Sequence, residues 1–265
     1  MLKKGSYNGK NLFMEDKKMI NLSKGIERSK GSKIVLAGVP GIGKSTLANK
    51  APGSVTVDVE DGSKLLDVVR VDHVPATYDE LVNILRELFV MAKTGSAGIK
   101  NVVIDTIDKV EELARIDICM KASVKSIEGI GYGKGWTMLM ERMVSFLSIL
   151  DNFTQIGVNV TAVCHTSVVH TDLPDNMSSY DAFALNLSKK VRPEVVKWAD
   201  ALLFMSRDVV VVKSADGGNK AVSESRTLVC ESTPAYPDCK NRFNLGSKVP
   251  ATFESIEKCY FNKED

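Results

Sequence analysis

The sequence predicts an α/β protein with a mostly parallel central sheet flanked by helices. Two observations support this fold class: a glycine-rich phosphate-binding motif lies between an apolar strand and a helix, and apolar strands then alternate with amphipathic helices. A third observation adds an antiparallel hairpin at the C-terminal edge of the sheet. Residues 208–213 and 221–230 have strand character and flank a turn rich in Gly and Asn.

The length and composition indicate one large domain with appendages. The chain has 265 residues, of which 44% are hydrophobic, so it can bury a proper core. No apolar run is long enough to cross a membrane, and the N-terminus lacks the apolar segment of a signal peptide. The five cysteines form no C-x-x-C pair, which argues against zinc and disulfides. We therefore expect a cytoplasmic protein without a membrane partner.

The first 30 residues predict a basic, partly disordered arm before a core at 31–265. Residues 1–33 contain nine Lys or Arg and three acids, so they carry +6 of a chain whose net charge is +2. Such an arm can bind nucleic acid. The alternative is a solvated leader, or an upstream extension of a protein that starts at Met14 or Met19. Residues 19–22 predict a short edge strand.

The elements of the core follow in a regular order. We predict strands at 33–37, 54–58, 101–105, 157–164 and 201–205. We predict helices from 47, at 77–93, at 109–121, at 135–155 and at 188–198. Residues 122–135 predict a mobile loop, and residues 165–187 a second, polar loop. Ligands of parallel sheets bind at the carboxyl ends of the strands, which predicts one crevice that collects the residues found there.

The residues from Gly38 to Thr46 fit the phosphate-binding P-loop motif G-x-x-x-x-G-K-S/T. Lys44 would contact the β- and γ-phosphates, and the hydroxyl of Ser45 would hold Mg²⁺. The rest of the nucleotide-binding set is Gly38, Pro40, Gly41, Ile42, Gly43 and Thr46. A chance lysine in a glycine-rich turn is the alternative, but the strand before the motif and the helix after it argue against that. The motif predicts binding of ATP with Mg²⁺.

Two acids at strand ends are candidates for the chemistry of hydrolysis. Asp105 follows four apolar residues and fits the Walker B aspartate, which holds Mg²⁺; the alternative is a helix N-cap. Glu60 is the best candidate for the general base that activates water, with Asp58 and Asp61 as competitors. The alternative for Glu60 is a surface turn acid. An acid directly after Asp105, as in many AAA+ ATPases, is missing, because Thr106 stands there.

Two further positions are candidates for phosphate recognition. His165 ends a strand and could sense the γ-phosphate, although a lone histidine is often structural. Lys240-Asn241-Arg242 could supply a positive finger to the transferring phosphoryl group, in its own site or in a neighbour's. The alternative for this segment is a solvated basic turn.

With these residues in view, the chain resembles the phage RecA-like ATP-binding proteins of the Sak single-strand-annealing group, over residues 31–255. The P-loop is the generic part of the likeness. The more specific matches are the segments Val57 to Arg70, Gly131 to Trp136 and Lys240 to Phe243, and Trp198 to Phe204 matches as well. The chain departs from bacterial RecA in having neither an obvious N-terminal polymerisation helix nor the C-terminal domain.

The resemblance implies a RecA-like core that acts in DNA recombination, with Glu60 as the catalytic carboxylate. It implies a homo-oligomer in which Lys240 and Arg242 contact a neighbour's ATP. It also suggests a single-strand-binding protein as a further partner. The first loop suits single-stranded DNA, because lysines can follow phosphates while bases stack on aromatic rings. Its DNA-binding candidates are Lys125, Tyr132, Lys134 and Trp136.

Four functions remain to be weighed at this stage. The first is a DNA-dependent ATPase that works on single strands in recombination or annealing. The second is a nucleotide-gated DNA-binding module whose hydrolysis is incidental. A small-molecule kinase is disfavoured because no arginine cluster suggests a lid, and a helicase loader or packaging motor is disfavoured by the missing acid after Asp105.

Overall fold

The structure, a computed structural model, describes residues 30–172, 179–213 and 219–261. The predicted arm, including the edge strand at 19–22, lies almost wholly outside these residues. The described part of the core contains nine strands. Their bounds are β1 Lys33–Gly38, β2 Ser54–Asp58, β3 Asn101–Asp105, β4 Asn159–Asp172, β5 Ser179–Leu185, β6 Ala201–Lys213, β7 Asn219–Val229, β8 Lys240–Asn241 and β9 Lys248–Pro250.

Six α-helices are present among the described residues. Their bounds are α1 Lys44–Ala48, α2 Tyr78–Thr94, α3 Ile107–Lys121, α4 Lys134–Gln155, α5 Arg192–Trp198 and α6 Phe253–Ile256. The N-terminal ends of the two long helices α2 and α3 follow from threonine caps. Thr77 accepts a hydrogen bond from the amide of Glu80, and Thr106 accepts one from the amide of Lys109.

The central sheet has the order β2-β3-β4-β1-β6-β7-β9. The strands from β2 to β6 in this order are parallel, whereas β7 and β9 continue the sheet in the antiparallel sense. This confirms the predicted fold class, including the antiparallel hairpin β6–β7 at the C-terminal edge. Its turn at 214–218 lies outside the described residues.

Two hydrophobic layers cover the two faces of the sheet. Val35 and Ala37 of β1 pack with the helices α2 to α5, while Ile34 and Leu36 pack with α1 and the C-terminal segment. This alternation has the period of two that a strand imposes, and β1 is buried on both faces because it is central. No helix among the described residues is long and apolar enough to span a membrane.

The prediction of a polar loop at 165–187 was wrong. Strand β4 runs on to Asp172 and pairs with β5 in an antiparallel ribbon, with Thr166 opposite Leu185 and Asp172 opposite Ser179. The polar residues suggested a loop, but they are polar because this ribbon leaves the central sheet and exposes much of its surface. The small side chains of Ala182 and Ala184 are nevertheless buried. Residues 173–178 are outside the described part.

The predicted loop at 122–135 is a loop over most of its length, but it contains one ordered turn and ends two residues earlier than predicted. A one-turn 3-10 helix spans Ile127–Gly129, and α4 already begins at Lys134. Ile127 is buried in the core, and Gly135 lies so close that a Cβ there would be 2.4 Å from the carbonyl oxygen of Ile127. Ile127, with the partly buried Val124 and Ile130 on either side, thus holds this segment against the core.

Candidate active site

The P-loop adopts a conformation that depends on its glycines. Gly41 and Gly43 have φ angles of 72° and 107°, in the region that other residues rarely adopt. A Cβ at Gly43 would also lie 2.5 Å from a guanidinium nitrogen of Arg226. Helix α1 begins at Lys44, so the backbone amides of the loop are available to phosphate oxygens, as the motif requires.

Lys44 is held in place by the loop that precedes it. Its ammonium group donates hydrogen bonds to the carbonyl oxygens of Gly38 and Val39, each at 2.9 Å, and its side chain is buried. Burial lowers the pKa of Lys44, while the nearby carboxylates, Asp105 first among them, act to raise it. The lysine is therefore fixed by the backbone at the carboxyl end of β1.

Asp105 and Ser45 form the pair that would hold Mg²⁺. Asp105 is the last residue of β3 and is only 6% exposed. Burial raises the pKa of its carboxyl group, and a hydrogen bond with Ser45 opposes that rise. A hydroxyl and a carboxylate side by side are oxygen ligands suited to Mg²⁺, and a divalent cation there would favour the ionised carboxylate. These residues fit the predicted metal.

Asp58 is a structural residue rather than a competitor for the role of general base. Its carboxylate accepts hydrogen bonds from the amides of Glu60, Gly62 and Ser63 and from the hydroxyl of Ser63. Burial raises the pKa of Asp58, but these bonds outweigh the effect and the net shift is downward. Asp61, the other competitor, pairs with Lys64 at the surface. Asp58 thus shapes the turn that presents Glu60.

Glu60 lies where a general base would be needed. Its carboxylate accepts a 2.7 Å hydrogen bond from the hydroxyl of Thr106, and it lies 3.6 Å from Nδ1 of His165. A cavity of about 370 Å³ is lined by Glu60, His165, Lys44, Ser45 and Asp105, together with other P-loop residues. The structure therefore brings these predicted catalytic and metal-binding residues into one crevice, but Lys240 and Arg242 are not among its lining residues.

Asp108 is a residue of this site that the sequence analysis missed. Its carboxylate accepts hydrogen bonds from the backbone amide of His165 at 3.1 Å and contacts Nδ1 of the ring at 2.9 Å. Three ligand atoms from Glu60, Asp108 and His165 lie within 4.8 Å of one another. Since these contacts satisfy both carboxylates, the cluster is explained by a chain of hydrogen bonds. The signal available in the sequence was the position of Asp108, one helical turn after Asp105.

Arg226 is the second residue that the sequence analysis missed. It lies on β7, and its guanidinium group donates a 3.1 Å hydrogen bond to the carbonyl oxygen of Ile42 in the P-loop. The antiparallel edge of the sheet thus adds a positive charge beside Gly43. The sequence predicted the strand but held no signal for this contact, because the pairing of β6 with β7 sets where the arginine lies.

Lys240 and Arg242 lie at the end of the strands opposite the P-loop. Lys240 donates to the carbonyl oxygens of Val196 and Lys197 at the end of α5, and Arg242 pairs with Asp200 at 2.8 Å. Strand β8 pairs with the first residues of β6, whereas the P-loop follows the last residue of β1. A six-residue strand spans roughly 20 Å. The prediction that this segment acts on the ATP bound by the same chain is therefore wrong. Its action on the ATP of a neighbouring chain stays a prediction.

The DNA-binding candidates divide into exposed and half-buried side chains. Tyr132, Lys125 and Lys134 are exposed, Tyr132 completely so. Trp136 packs partly against the core and lines a cavity of about 300 Å³ together with Glu60 and Asp108. Tyr132 is thus better placed than Trp136 to stack on a base, and contact with DNA stays a prediction.

The structure combines a P-loop after β1, the buried Asp105 at the end of β3 and a mostly parallel sheet. These features define a P-loop nucleotide-binding domain. Residues 30–243 match the model of a family described as AAA domain, and the chain belongs to this family. The match covers the P-loop and both acids, Glu60 and Asp105. A search of curated proteins found no match.

Replacement of Lys44 by Met should weaken nucleotide binding without unfolding the protein. The variant removes a charged contact to phosphate, and we expect the affinity for ATP to fall by about tenfold or more. Stability should survive, because the change also removes a buried charge that is costly to desolvate. Titration with a fluorescent ATP analogue and thermal unfolding test both points.

The matched control is Lys50→Met, an exposed lysine just after α1. It should bind the analogue like the wild type. Unchanged affinity in Lys44→Met, or loss of its cooperative unfolding, would contradict the role assigned to Lys44.

Proposed function

We propose that this protein is a RecA-like ATPase that hydrolyses ATP with Mg²⁺ and acts on single-stranded DNA in phage recombination or annealing. The observation that carries the proposal is the position of Glu60. It lies in the same cavity as Lys44 and Asp105, at the end of the strand after the P-loop helix, and the hydroxyl of Thr106 holds its carboxylate.

Each residue of the crevice has a distinct part in hydrolysis. Bound ATP with Mg²⁺ supplies the electrophilic γ-phosphoryl group. Lys44 and the P-loop amides bind the phosphates, and Ser45 and Asp105 would hold the cation. Glu60 orients a water molecule and accepts its proton. His165, 3.6 Å from Glu60, senses the γ-phosphate.

The position of the base favours the RecA-like arrangement over the layout with an acid after the Walker B aspartate. Thr106 takes that place here and has two tasks: it caps α3 and it donates to Glu60. The base therefore comes from the turn after β2, which Asp58 shapes. The antiparallel strands β7 and β9 beyond β6 agree with the antiparallel hairpin predicted at the edge of a RecA-like core.

The surface that suits single-stranded DNA is the segment from Lys125 to Lys134, the first residue of α4. Tyr132 and Lys134 are exposed there, and Lys125 lies seven residues before Tyr132. The β4–β5 ribbon is a poorer candidate because its described end carries His170 paired with Asp181 and close to Asp172. Its charge would not attract phosphates.

A second copy of the chain is the partner through which Arg242 would contact ATP. Arg242 is exposed, although Asp200 pairs with it, and it lies at the end of the strands opposite the nucleotide site. A head-to-tail contact would bring this end to the nucleotide site of a neighbour and extend to a ring or filament. This supports the proposal that Arg242 acts on a neighbour's ATP.

Replacement of Glu60 by Gln should abolish ATP turnover while ATP still binds. We expect kcat to fall by about a hundredfold or more, because the amide cannot accept the proton of the attacking water. Single-stranded DNA should stimulate the wild type and leave the variant inactive. Steady-state ATPase assays with and without an oligonucleotide measure both effects, with Glu112→Gln, an exposed acid paired with Lys109, as the control.

The same variant separates the two functional classes. If Glu60→Gln anneals complementary strands as well as the wild type, the protein is a nucleotide-gated binding module and its hydrolysis is incidental. If wild-type turnover ignores saturating single strands, the DNA-dependent ATPase is ruled out.

The double variant Lys125→Ala, Lys134→Ala should bind single-stranded DNA more weakly and with a smaller salt dependence. Each lost phosphate contact lowers the slope of log K against log salt by about 0.7. Tyr132→Ala should weaken binding without changing the slope, because stacking is worth about 1–3 kcal/mol per base and involves no counterion. Fluorescence anisotropy at several salt concentrations gives both quantities.

Lys93 and Lys100 provide the control, since both are exposed and lie away from the segment. Their double alanine variant should leave affinity and slope unchanged. An equal loss in both double variants would mean that net charge, and no particular surface, governs binding.

A mixture of Arg242→Ala and Lys44→Ala proteins should recover part of the ATPase activity that each lacks alone. In the mixed oligomer, some sites would combine an intact P-loop with an intact Arg242 from the neighbour. The control replaces the first protein by the double variant Arg242→Ala, Lys44→Ala, which cannot complement. Absence of recovery, with mixed oligomers shown by native mass spectrometry, would refute the shared site.

A further inference from the structure

His165 occupies the point where β4 leaves the central sheet. Its Cα is the partner of Gly38 in β1, and the next residue, Thr166, is already paired with Leu185 of β5. The residue thus belongs to two elements at once: the strand beside the P-loop and the β4–β5 ribbon. A change in its orientation would alter the contacts of both elements.

Asp108 holds this point through the main chain and the side chain together. One oxygen of its carboxylate accepts from the amide of His165, and the other lies 2.9 Å from the ring nitrogen Nδ1. The side chain of Asp108 is only 10% exposed, and it lies in the first turn of α3, where a negative charge is favourable. A carboxylate accepts hydrogen bonds, so Nδ1 carries the proton and Nε2 is the remaining ring nitrogen.

The same helix holds the other side of the ribbon's base. Glu111, one turn after Asp108, accepts hydrogen bonds from the amide of Ser188 at 3.1 Å and from its hydroxyl. The amide of Asn186 donates to the carbonyl oxygen of His165 at 2.9 Å and joins the two sides. Two acids on successive turns of α3 therefore hold both sides of the base of the β4–β5 ribbon.

We propose that Asp108 is a positioning residue for ATP hydrolysis, acting through His165. It fixes the ring with the proton on Nδ1, beside Glu60, and it joins the ribbon to the helix that starts two residues after Asp105. The inference rests on the proposed ATPase function for its catalytic part; the state of the ring can be tested without turnover.

The first test is the protonation pattern of His165 by NMR of protein labelled with ¹⁵N-histidine. The chain has three histidines, so His165→Gln assigns the signal. We expect the proton on Nδ1 in the wild type and a shift toward the Nε2-protonated form in Asp108→Ala. A ring that keeps its proton on Nδ1 in Asp108→Ala would overturn the proposal.

The second test compares the kinetics of Asp108→Ala with those of Asp117→Ala. Asp117 is the matched control: it is an equally shielded acid on α3, paired with Lys121 and Arg142, outside the crevice. We expect kcat to fall roughly ten- to a hundredfold in Asp108→Ala, a range typical of partners that orient a functional histidine, with little change in the Kd for ATP. Asp117→Ala should keep the wild-type kcat.

Equal losses of kcat in the two variants would reduce Asp108 to a structural role. If Asp108→Ala does not fold, the same two measurements on the isosteric Asp108→Asn decide. Failure of the proposed function looks different: the wild type would not hydrolyse ATP, or Glu60→Gln would match it, while the NMR test would still report on Asp108.

Discussion

The site depends on burying two opposite charges, those of Lys44 and Asp105, at one edge of a parallel sheet. Burial lowers the pKa of the lysine and raises that of the aspartate, so each charge costs free energy unless it has partners. The backbone oxygens of the P-loop and the hydroxyl of Ser45 supply part of this compensation. A nucleotide with Mg²⁺ would supply the rest, since phosphate oxygens pair with Lys44 and the cation pairs with Asp105. Binding energy is thereby concentrated where the γ-phosphate would lie.

The parallel topology makes the two ends of the strands chemically different. The strands β1, β2, β3 and β4 run in the same direction, so the residues at their ends collect at one edge, while Lys240 and Arg242 remain at the other. A monomer cannot bring these groups together, because a strand separates them. A contribution of Arg242 to catalysis would therefore require a second copy of the chain.

The parts of the site that the sequence predicted are those determined locally. The P-loop, Asp105 and Glu60 each follow a strand within a few residues, and parallel pairing then brings them together. Asp108 and Arg226 were missed because their roles come from contacts between distant segments, with His165 in β4 and with Ile42 in the P-loop. The β4–β5 ribbon was missed for another reason: polarity was interpreted as a loop, although a ribbon with an exposed face is equally polar. Likewise, the single buried Ile127 outweighed a polar neighbourhood in ordering residues 127–129.

Helix α3 connects the crevice with both of the elements that lie outside the central sheet. Its first turn follows Asp105 and holds the base of the ribbon, and its last residue, Lys121, leads into the segment that carries Tyr132 and Lys134. A helix of this length spans roughly 22 Å and is stiff enough to move as a unit. A small displacement at its N-terminal end, set by the contacts of Asp105 and Asp108, would therefore reach both elements.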